Sequence, residues 1–316
     1  MKKIIFALFF ILTALCLPLT ATACTDTDDE GYSVICTVFP AYDWTKNIVT
    51  GSDVSVKLLL DSGADLHSYN PTVKDMIAIS KCDLFIYVGG QSDGWADDVL
   101  KSYPNEKRIV LNLLETLGDR AFLEEEVEGM QTEDEEEEEY DEHVWLSVKN
   151  AAFLSGKIAD ALSSAAPEQA DIFSENAQNY INQLEMLDVD YTNAAEKATV
   201  KTMLFADRFP FLYMMKDYNV TYYAAFPGCS TEANAAPSTI RFLSDKLDEL
   251  NLKYVLTIDG SDKKIADTVI RNSKNKNQTV LTLDSMQTTG LSESQKGATY
   301  LGIMKNNLDV FKTALQ

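Results

Sequence analysis

The chain has 316 residues, and its 49 acidic residues against 27 basic residues give a formal net charge of −22 at pH 7. So acidic a chain argues against nucleic acid as a partner, because binding to the phosphates requires a positively charged surface. The same charge is compatible with the capture of cations, although acidic surfaces also serve solubility.

The N-terminus has the features of a secreted lipoprotein. A short basic head precedes an apolar run at 4–19, which is typical of a signal peptide and is shorter than the roughly 20 residues of a membrane-spanning helix. Small residues then lead to Cys24, a pattern that resembles a bacterial lipoprotein cleavage box. We predict a signal peptide over 1–23, a lipid on Cys24 and a polar tether over 24–31, which would hold the protein outside the cytoplasm on the bacterial cell membrane. An ordinary signal peptide cut nearby is the alternative.

Apolar, β-rich runs alternate with helical spacings through the first half of the chain. The strands are predicted at 32–39, 54–60, 83–88 and 108–112. The helices between them are predicted at 42–49, 71–80 and 95–102. Because strand–helix alternation with continuously apolar strands indicates a parallel sheet covered on both faces, this half is predicted to be an α/β lobe.

A run at 124–142 interrupts this pattern with 13 acidic residues. So few of its residues are apolar that it cannot bury enough surface to order itself, and we predict a mobile insert in the N-terminal lobe. Its clustered carboxylates could collect divalent cations loosely, or they could form nothing more than a solvated charge run.

The second half of the chain repeats the α/β alternation after two helices. The helices are predicted at 148–163 and at 167–197, the second being about 45 Å long at 1.5 Å per residue. The later elements are strands at 201–205, 221–226, 254–258 and 279–283 and helices at 210–217, 237–250 and 263–272. The predicted fold class is therefore α/β, with two parallel-sheet lobes joined by one long rigid helix. The limits are predicted at 32–165 for the N-terminal lobe, 166–198 for the connecting helix and 199–316 for the C-terminal lobe.

Three cysteines follow Cys24 in the chain, at positions 36, 82 and 229. An odd number outside the cytoplasm leaves at least one thiol unpaired. Cys36 lies in the first predicted strand and Cys82 next to the third, so these two could form a disulfide or remain two buried thiols.

Histidine is the rarest metal-binding side chain here, and the chain has only two, His67 and His143. Neutral imidazole is a common ligand of transition metals. Both histidines follow acidic residues in turn-like segments close to predicted elements, near the strand ends where open α/β sheets bind ligands. Asp284 directly follows the last predicted strand, so its carboxylate is a candidate from the second lobe, and Asp259 is a weaker one of the same kind. A helix cap or a turn is the alternative role for such an aspartate.

Four co-linear segments carry a resemblance to one protein family. They read Gly-Ala-Asp-Leu-His-Ser-Tyr-Asn-Pro-Thr at 63–72, Cys-Asp-Leu-Phe-Ile-Tyr-Val-Gly-Gly at 82–90, Asp-Glu-His-Val-Trp-Leu-Ser-Val-Lys-Asn-Ala at 141–151 and Thr-Leu-Asp-Ser-Met at 282–286. In this order they resemble the metal-specific (zinc or manganese) substrate-binding lipoproteins of bacterial ABC importers, over nearly all of the mature chain. The acidic run ahead of His143 is also similar in position to a metal-rich loop of the zinc members, although it lacks their histidines.

The resemblance implies a metal ion held between the two lobes. By motif, His67 and His143 would be ligands from the first lobe and Asp284 a ligand from the second. At the remaining family position, where zinc members have histidine and manganese members glutamate, this chain has Ala206, and alanine cannot coordinate.

Asp207, Cys229 or a water molecule could complete the ligand shell, because zinc accepts nitrogen, sulfur and oxygen donors. Asp207 could instead pair with Arg208, and Cys229 could be a small buried thiol. A thiolate would favour zinc over manganese, whereas carboxylates in these positions would favour manganese.

The function that the resemblance implies is capture without catalysis. We expect a monomeric binding protein, not an enzyme, that captures Zn²⁺ between its lobes and hands it to an ABC permease and its ATPase, with Mn²⁺ as the alternative cargo. A zinc-dependent hydrolase that uses the same ligands is a further alternative, as is an adhesin or metal-buffering lipoprotein without a transporter.

Overall fold

The computed structural model describes residues 31–60, 66–132, 139–230 and 234–316. The predicted signal peptide, Cys24 and nearly all of the tether lie outside these residues, so lipidation stays a prediction. Within the described ranges, no helix is long and apolar enough to cross a membrane.

The first sheet, within the described residues, has four parallel strands in the order β2-β1-β3-β4. The strands are β1 Ser33–Cys36, β2 Ser55–Leu58, β3 Leu84–Tyr87 and β4 Ile109–Asn112. The accompanying helices are α1 Phe39–Ile48, α2 Val73–Lys81, α3 Gly94–Ser102, α4 Leu113–Leu117 and α5 Val148–Ala165, with short 3₁₀ helices at Leu66–Ser68, Gly118–Arg120 and Val144–Leu146. Strand β3 is buried at every residue, as a strand inside a sheet covered on both faces must be.

The first predicted strand is shorter in the structure because the chain turns early into α1. Pro40 stands in the first turn of this helix, where a missing backbone N–H leaves no hydrogen bond unmade. The helix then buries Trp44 and Ile48 against the sheet side of the lobe. The strand predicted over 32–39 therefore ends at Cys36, and α1 starts at Phe39 rather than at 42.

One long helix, α6 Ala170–Lys197, follows the first half of the chain after a short 3₁₀ helix at Pro167–Gln169. Its 28 residues span about 42 Å at 1.5 Å per residue. The buried side chains recur every three or four residues and so form one stripe. They are Phe173, Ala177, Tyr180, Leu184, Leu187, Tyr191 and Ala195. Helix α6 packs against α1 and α5 of the first half.

The second sheet, as far as the structure describes it, also has four parallel strands, in the order β6-β5-β7-β8. The strands are β5 Thr202–Phe209, β6 Thr221–Pro227, β7 Tyr254–Ile258 and β8 Thr279–Leu283. The helices are α7 Leu212–Tyr218, α8 Pro237–Glu249, α9 Lys264–Asn272, α10 Leu291–Gln295 and α11 Tyr300–Ala314. The sequence prediction lacks α10 and α11, and α11 packs against both α6 and β8. The predicted fold class is confirmed, whereas the lobe limits at 165 and 198 stay predictions.

Strand β5 is longer than predicted because it continues through an irregularity. Its register along β6 shifts between Phe205 and Arg208, so residues are inserted at this point as in a β-bulge. Asp207 lies in that insertion, and its Oδ2 accepts a hydrogen bond from the backbone N–H of Ile258 on β7 at 3.4 Å.

The acidic segment 124–142 has flanks that are held by specific contacts. The backbone N–H of Gln131 donates to the carbonyl of Ala225 on the edge strand β6 at 2.9 Å, and two apolar residues between the acids pack against the main core. The prediction of a mobile insert is wrong for these flanks, because the second lobe supplies partners that a composition argument does not include. Residues 133–138 lie outside the described residues.

The cysteines of the first lobe do not form a disulfide. Cys36 and Cys82 are both buried and free. Burial raises the pKa of each thiol to about 12, so both stay protonated and unreactive.

A chain of buried hydrogen bonds joins the two halves of the molecule. Trp145 Nε1 donates to the carbonyl of Ser285 at 2.8 Å, and the Tyr300 hydroxyl donates to the carbonyl of Trp145 at 2.6 Å. The Asp43 carboxylate of α1 accepts from the Tyr300 backbone N–H at 3.1 Å and from the Tyr180 hydroxyl of α6 at 3.3 Å. Side chains of α1 and α6 therefore fix the start of α11.

Candidate metal centre

Three of the candidate site residues, His67, Cys229 and Asp284, follow the carboxyl ends of strands from the two sheets. His67 lies in the 3₁₀ helix after β2, and His143 directly precedes the 3₁₀ helix Val144–Leu146. Cys229 comes two residues after β6, while Asp284 directly follows β8. Loops beyond the carboxyl ends of parallel strands are where open α/β folds bind their ligands.

Three of these side chains come together in one cluster. One ligand atom from each of His67, His143 and Cys229 lies within 4.8 Å of the other two. The imidazole centroids are 5.5 Å apart, and His143 is fully buried. Around a tetrahedral zinc with bonds of about 2.0–2.3 Å, such atoms would be roughly 3.3–3.8 Å apart, so movements of about 1 Å would complete the geometry.

His143 is held in position by Asp141. The Oδ1 atom of Asp141 lies 3.0 Å from His143 Nδ1 and accepts the His143 backbone N–H at 2.7 Å. A carboxylate on Nδ1 keeps the proton there and leaves the lone pair of Nε2 for a metal. Burial alone lowers the pKa of His143, but the charge and hydrogen bond of Asp141, together with Glu142 and Glu124, raise it above the ordinary value.

The loop before Cys229 packs directly on the His143 ring. A Cβ atom at Gly228 would lie 2.8 Å from Cε1 of His143 and 3.0 Å from the carbonyl oxygen of Phe209. Glycine is therefore required here, because any side chain would push the Cys229 loop away from the imidazole.

His67 is oriented by the loop that follows β3. Its Nδ1 lies 2.6 Å from the hydroxyl of Ser92, whose backbone N–H donates to Glu142 Oε1 at 2.7 Å. Because Glu142 directly precedes His143, the supports of the two histidines are linked.

Cys229 brings sulfur into the cluster. Burial, with the negative charges of Glu142, Glu124 and Asp141, raises the pKa of this thiol well above its ordinary value. In the metal-free protein the thiol is therefore protonated, and a bound cation would have to displace that proton, as metal thiolates require.

The two predicted carboxylate ligands are not part of the three-residue cluster. Asp207 Oδ1 accepts the backbone N–H of Arg208 at 2.9 Å, and its other oxygen faces Ile258. Asp284 Oδ1 accepts the backbone N–H of Met286 at 2.8 Å, so both aspartates shape the backbone of their own loops. Burial, and then the charge of Asp259, raises the pKa of Asp284 to about 6. Their roles as ligands stay predictions.

Ala206, at the position where a ligand is expected in the family, lies in an apolar cluster of the second lobe and is 1% exposed. That cluster also contains Leu204 and Ala225. A side chain at position 206 thus contributes to packing, and the second-lobe side chain in the cluster is that of Cys229.

Gln287 is the site residue that the sequence analysis misses. Its Nε2 atom lies 2.6 Å from Nε2 of His143 and 2.9 Å from Nε2 of His67. The only sequence signal is its place three residues after Asp284, in the loop beyond β8. A glutamine in a loop attracts no attention when the search is for charged or imidazole ligands.

The fold agrees with what is found by comparison. A family model described as ZnuA, "Zinc-uptake complex component A periplasmic", matches residues 34–314. The chain is 29% identical over 289 residues to zinc-binding protein AdcA of Streptococcus pyogenes serotype M3, which covers 88% of this chain and 55% of that protein. It is 28% identical over 312 residues to the high-affinity zinc uptake system protein ZnuA of Bacillus subtilis, which covers 98% of this chain and 96% of that protein.

Among solved structures, the metal-dependent lipoprotein YcdH of Bacillus subtilis matches with a TM-score of 0.74 and 26% identity, covering 90% of this chain and 100% of that one. The chain spans about half the length of the streptococcal relative and nearly all of the Bacillus relative. The family match includes both sheets, the long helix and every residue of the cluster. The chain therefore belongs to the ZnuA family of periplasmic zinc-uptake components.

Proposed function

We propose that this protein captures Zn²⁺ between its two lobes and delivers it to an ABC permease for import. The observation that carries the proposal is the cluster of His67, His143 and Cys229, whose ligand atoms lie within 4.8 Å of one another. Two imidazoles and a thiolate form a donor set that suits tetrahedral zinc. Family membership and the names of the zinc-binding relatives support the same cargo.

Zinc is favoured over manganese by the chemistry of the second lobe. Sulfur from Cys229 is a soft donor that suits zinc, whereas manganese prefers the hard oxygens of carboxylates. Asp207 accepts backbone N–H groups with both of its oxygens, and Asp284 accepts one with Oδ1. Manganese would become the better cargo only if these carboxylates turned into the site.

Capture fits the site better than catalysis. The family to which the chain belongs is an uptake component, which agrees with the prediction that the protein is not an enzyme. His143 is fully buried, and loops from both lobes cover it. A hydrolase would need an open metal position for water beside room for a substrate.

The movement that accompanies capture is expected to be small. The bond from Trp145 to Ser285 and the bonds of Tyr300 to Trp145 and Asp43 join the lobes next to the site. A wide opening would break these buried bonds, each of which stabilises the folded state by about 1 kcal/mol. We infer that the ligand side chains and loops move more than the lobes do.

The anchor and the partners complete the proposal. Lipidation of Cys24 would keep the protein at the membrane that holds its permease and ATPase, and the Bacillus relative of known structure is named a lipoprotein. We propose that it acts as a monomer. The alternative, an adhesin or a metal buffer without a transporter, would leave zinc uptake unchanged in cells that lack the protein.

The decisive experiment is metal binding by the purified mature chain. Competition with a fluorescent chelator should show tight Zn²⁺ binding, weaker Mn²⁺ binding and a large loss of zinc affinity in His67→Ala and His143→Ala. Cys82→Ala is the matched control for Cys229→Ala, because it removes a buried thiol outside the cluster. Absence of zinc binding, or unchanged affinity in both histidine variants, would overturn the proposal.

A further inference from the structure

Gln287 occupies the space between the two histidines of the cluster. Its side-chain Nε2 is 2.6 Å from His143 Nε2 and 2.9 Å from His67 Nε2, and the residue is 5% exposed. These are the ring nitrogens left for a metal, because the two Nδ1 atoms contact Ser92 and Asp141. A zinc ion about 2.0–2.1 Å from both imidazoles would collide with an amide nitrogen in this place.

The loop that carries Gln287 is fixed from several sides. Asp259 Oδ1 accepts both the backbone N–H and the hydroxyl of Ser285 at 2.6 Å. Met286, with a φ of 60° and an exposure of 2%, adopts a left-handed conformation that is uncommon for such a side chain. Asp284 Oδ1 accepts a hydrogen bond from the backbone N–H of Met286 at 2.8 Å. The position of Gln287 is therefore built into the loop.

The hydrogen-bond partners also fix which end of the amide faces the histidines. Asp141 keeps the proton of His143 on Nδ1, so Nε2 presents a lone pair. A side-chain amide has two N–H donors on its nitrogen, one for each imidazole lone pair. The hydroxyl of Ser285 lies 3.2 Å from Gln287 Oε1, but its one proton goes to Asp259 Oδ1 at 2.6 Å, so the imidazole lone pairs decide the orientation of the amide. Turned around, the carbonyl oxygen would face the lone pair of His143 Nε2, which is repulsive.

We propose that Gln287 is an internal competitor for the metal ion. In the metal-free protein its NH₂ group occupies the two imidazole lone pairs that zinc needs, and it keeps both rings in the tautomer ready for coordination. Zinc binds only when this amide moves away, so Gln287 lowers the affinity and eases the release of the cargo. The inference rests on the proposed function, because it assigns the two histidines to the metal.

Removing the amide should therefore tighten zinc binding. In Gln287→Ala and in the bulkier Gln287→Leu, no N–H groups compete for the imidazoles, and we expect zinc affinity to rise about tenfold, since two hydrogen bonds of ordinary strength no longer have to be broken. Gln131→Ala is the matched control, because that amide accepts from Ala236 and lies outside the cluster. Its zinc affinity should stay as in the wild type.

The opposite result has a clear meaning. If affinity falls in both Gln287 variants, the amide oxygen is a ligand and the proposal is wrong, and unchanged affinity overturns it as well. Failure of the proposed function is distinguishable, because it would appear as unchanged affinity in His67→Ala and His143→Ala whatever the Gln287 variants do.

A direct observation is available in the wild-type protein. In a ¹H–¹⁵N spectrum of the metal-free chain, the NH₂ pair that disappears in Gln287→Ala should lie away from the positions of exposed amides, because both N–H groups are bonded. Addition of Zn²⁺ should move this pair, while the pair of Gln131 stays in place. A Gln287 pair that does not respond to zinc would overturn the proposal.

Discussion

The two lobes contribute to the site in different ways. The first lobe supplies His67 and His143, each supported through Nδ1 by a neighbouring side chain. The second lobe supplies a thiol and an amide, from Cys229 and Gln287, while its predicted aspartates bind their own loops. The first lobe thus offers an oriented imidazole pair, whereas the second lobe offers a protonated thiol and an amide that contacts both imidazoles.

This difference shows why one half was predictable and the other was not. Two histidines in 316 residues are so rare that each one stands out, and the family motifs around them indicate a metal rather than a structural role. Aspartate after a strand is ambiguous, because the same carboxylate can bind a metal or hold the backbone of a turn. Asp284 does the latter in this structure, with Met286 as its partner.

The largest expected effect comes from the first lobe. His143→Ala should lower zinc affinity by about 1,000-fold or more, because loss of a ligand exceeds the 10–100-fold effect that is usual for the groups supporting one. Competition against a chelator of known affinity measures this, with circular dichroism as the control for folding. A loss below tenfold would mean that the first lobe does not hold the metal.

The second lobe is tested by Cys229→Ala. We expect a loss of zinc affinity of about 100-fold, smaller than for His143→Ala because water can take the vacated position. Manganese affinity should change by less than about threefold, since sulfur contributes little to a hard cation. Cys82→Ala provides the control with a buried thiol. Equal losses for the two metals would contradict a zinc thiolate.

The place where the lobes meet gives a prediction for stability. Asp43 is 7% exposed, and burial raises its pKa to about 6, although the Tyr300 N–H and the Tyr180 hydroxyl bond it. Tyr42 is a further titratable group beside it. The folded state binds the Asp43 proton more tightly than the unfolded state, so folding stability is lost as the pH rises from about 4 through 6.

Asparagine does not titrate, so Asp43→Asn should remove this loss. Its amide oxygen can still accept hydrogen bonds from Tyr300 and Tyr180. The free energy of unfolding of the variant, minus that of the wild type, should be about 1–3 kcal/mol larger at pH 7.5 than at pH 4. This increase is the expected gain. Denaturant titrations at the two pH values measure the difference. Asp309→Asn, at an exposed position of α11, is the control and should show no such gain. A variant less stable than the wild type at pH 7.5 would show that the carboxylate charge is needed at the junction.

Most of the fold could be predicted from the sequence, because the apolar strands and the long helix are local patterns. The differences arise from contacts between distant residues. The bulge that extends β5 past Phe205 depends on pairing with β6, and the flanks of the acidic segment 124–142 depend on the second lobe. Helix α11 is missing from the prediction although Tyr300, Met304, Leu308 and Phe311 are spaced for one face.

The candidate site was predictable to the extent that one residue type implied one role. Cys229 could be proposed only as one of three ways to replace the ligand that Ala206 removes, and Gln287 could not be proposed at all. An amide becomes a site residue only through its distances of 2.6 and 2.9 Å to the histidines, and these depend on a loop conformation that includes a left-handed Met286. Such a conformation is not encoded in a short motif.

The smallest expected effect is also the sharpest test of the difference between the lobes. Asp284→Asn keeps an oxygen that can accept the Met286 N–H, so the loop should survive and zinc affinity should change by less than about threefold. If Asp284 is instead a ligand, as the family resemblance implies, loss of its charge should weaken zinc binding by tenfold or more, and Asp284 would join Cys229 as a second donor from this lobe. Chelator competition on Asp284→Asn beside Cys229→Ala decides between these outcomes. Because both variants alter the second lobe alone, a large effect in Cys229→Ala with a small one in Asp284→Asn would identify sulfur, and not carboxylate, as what this lobe adds to the histidines.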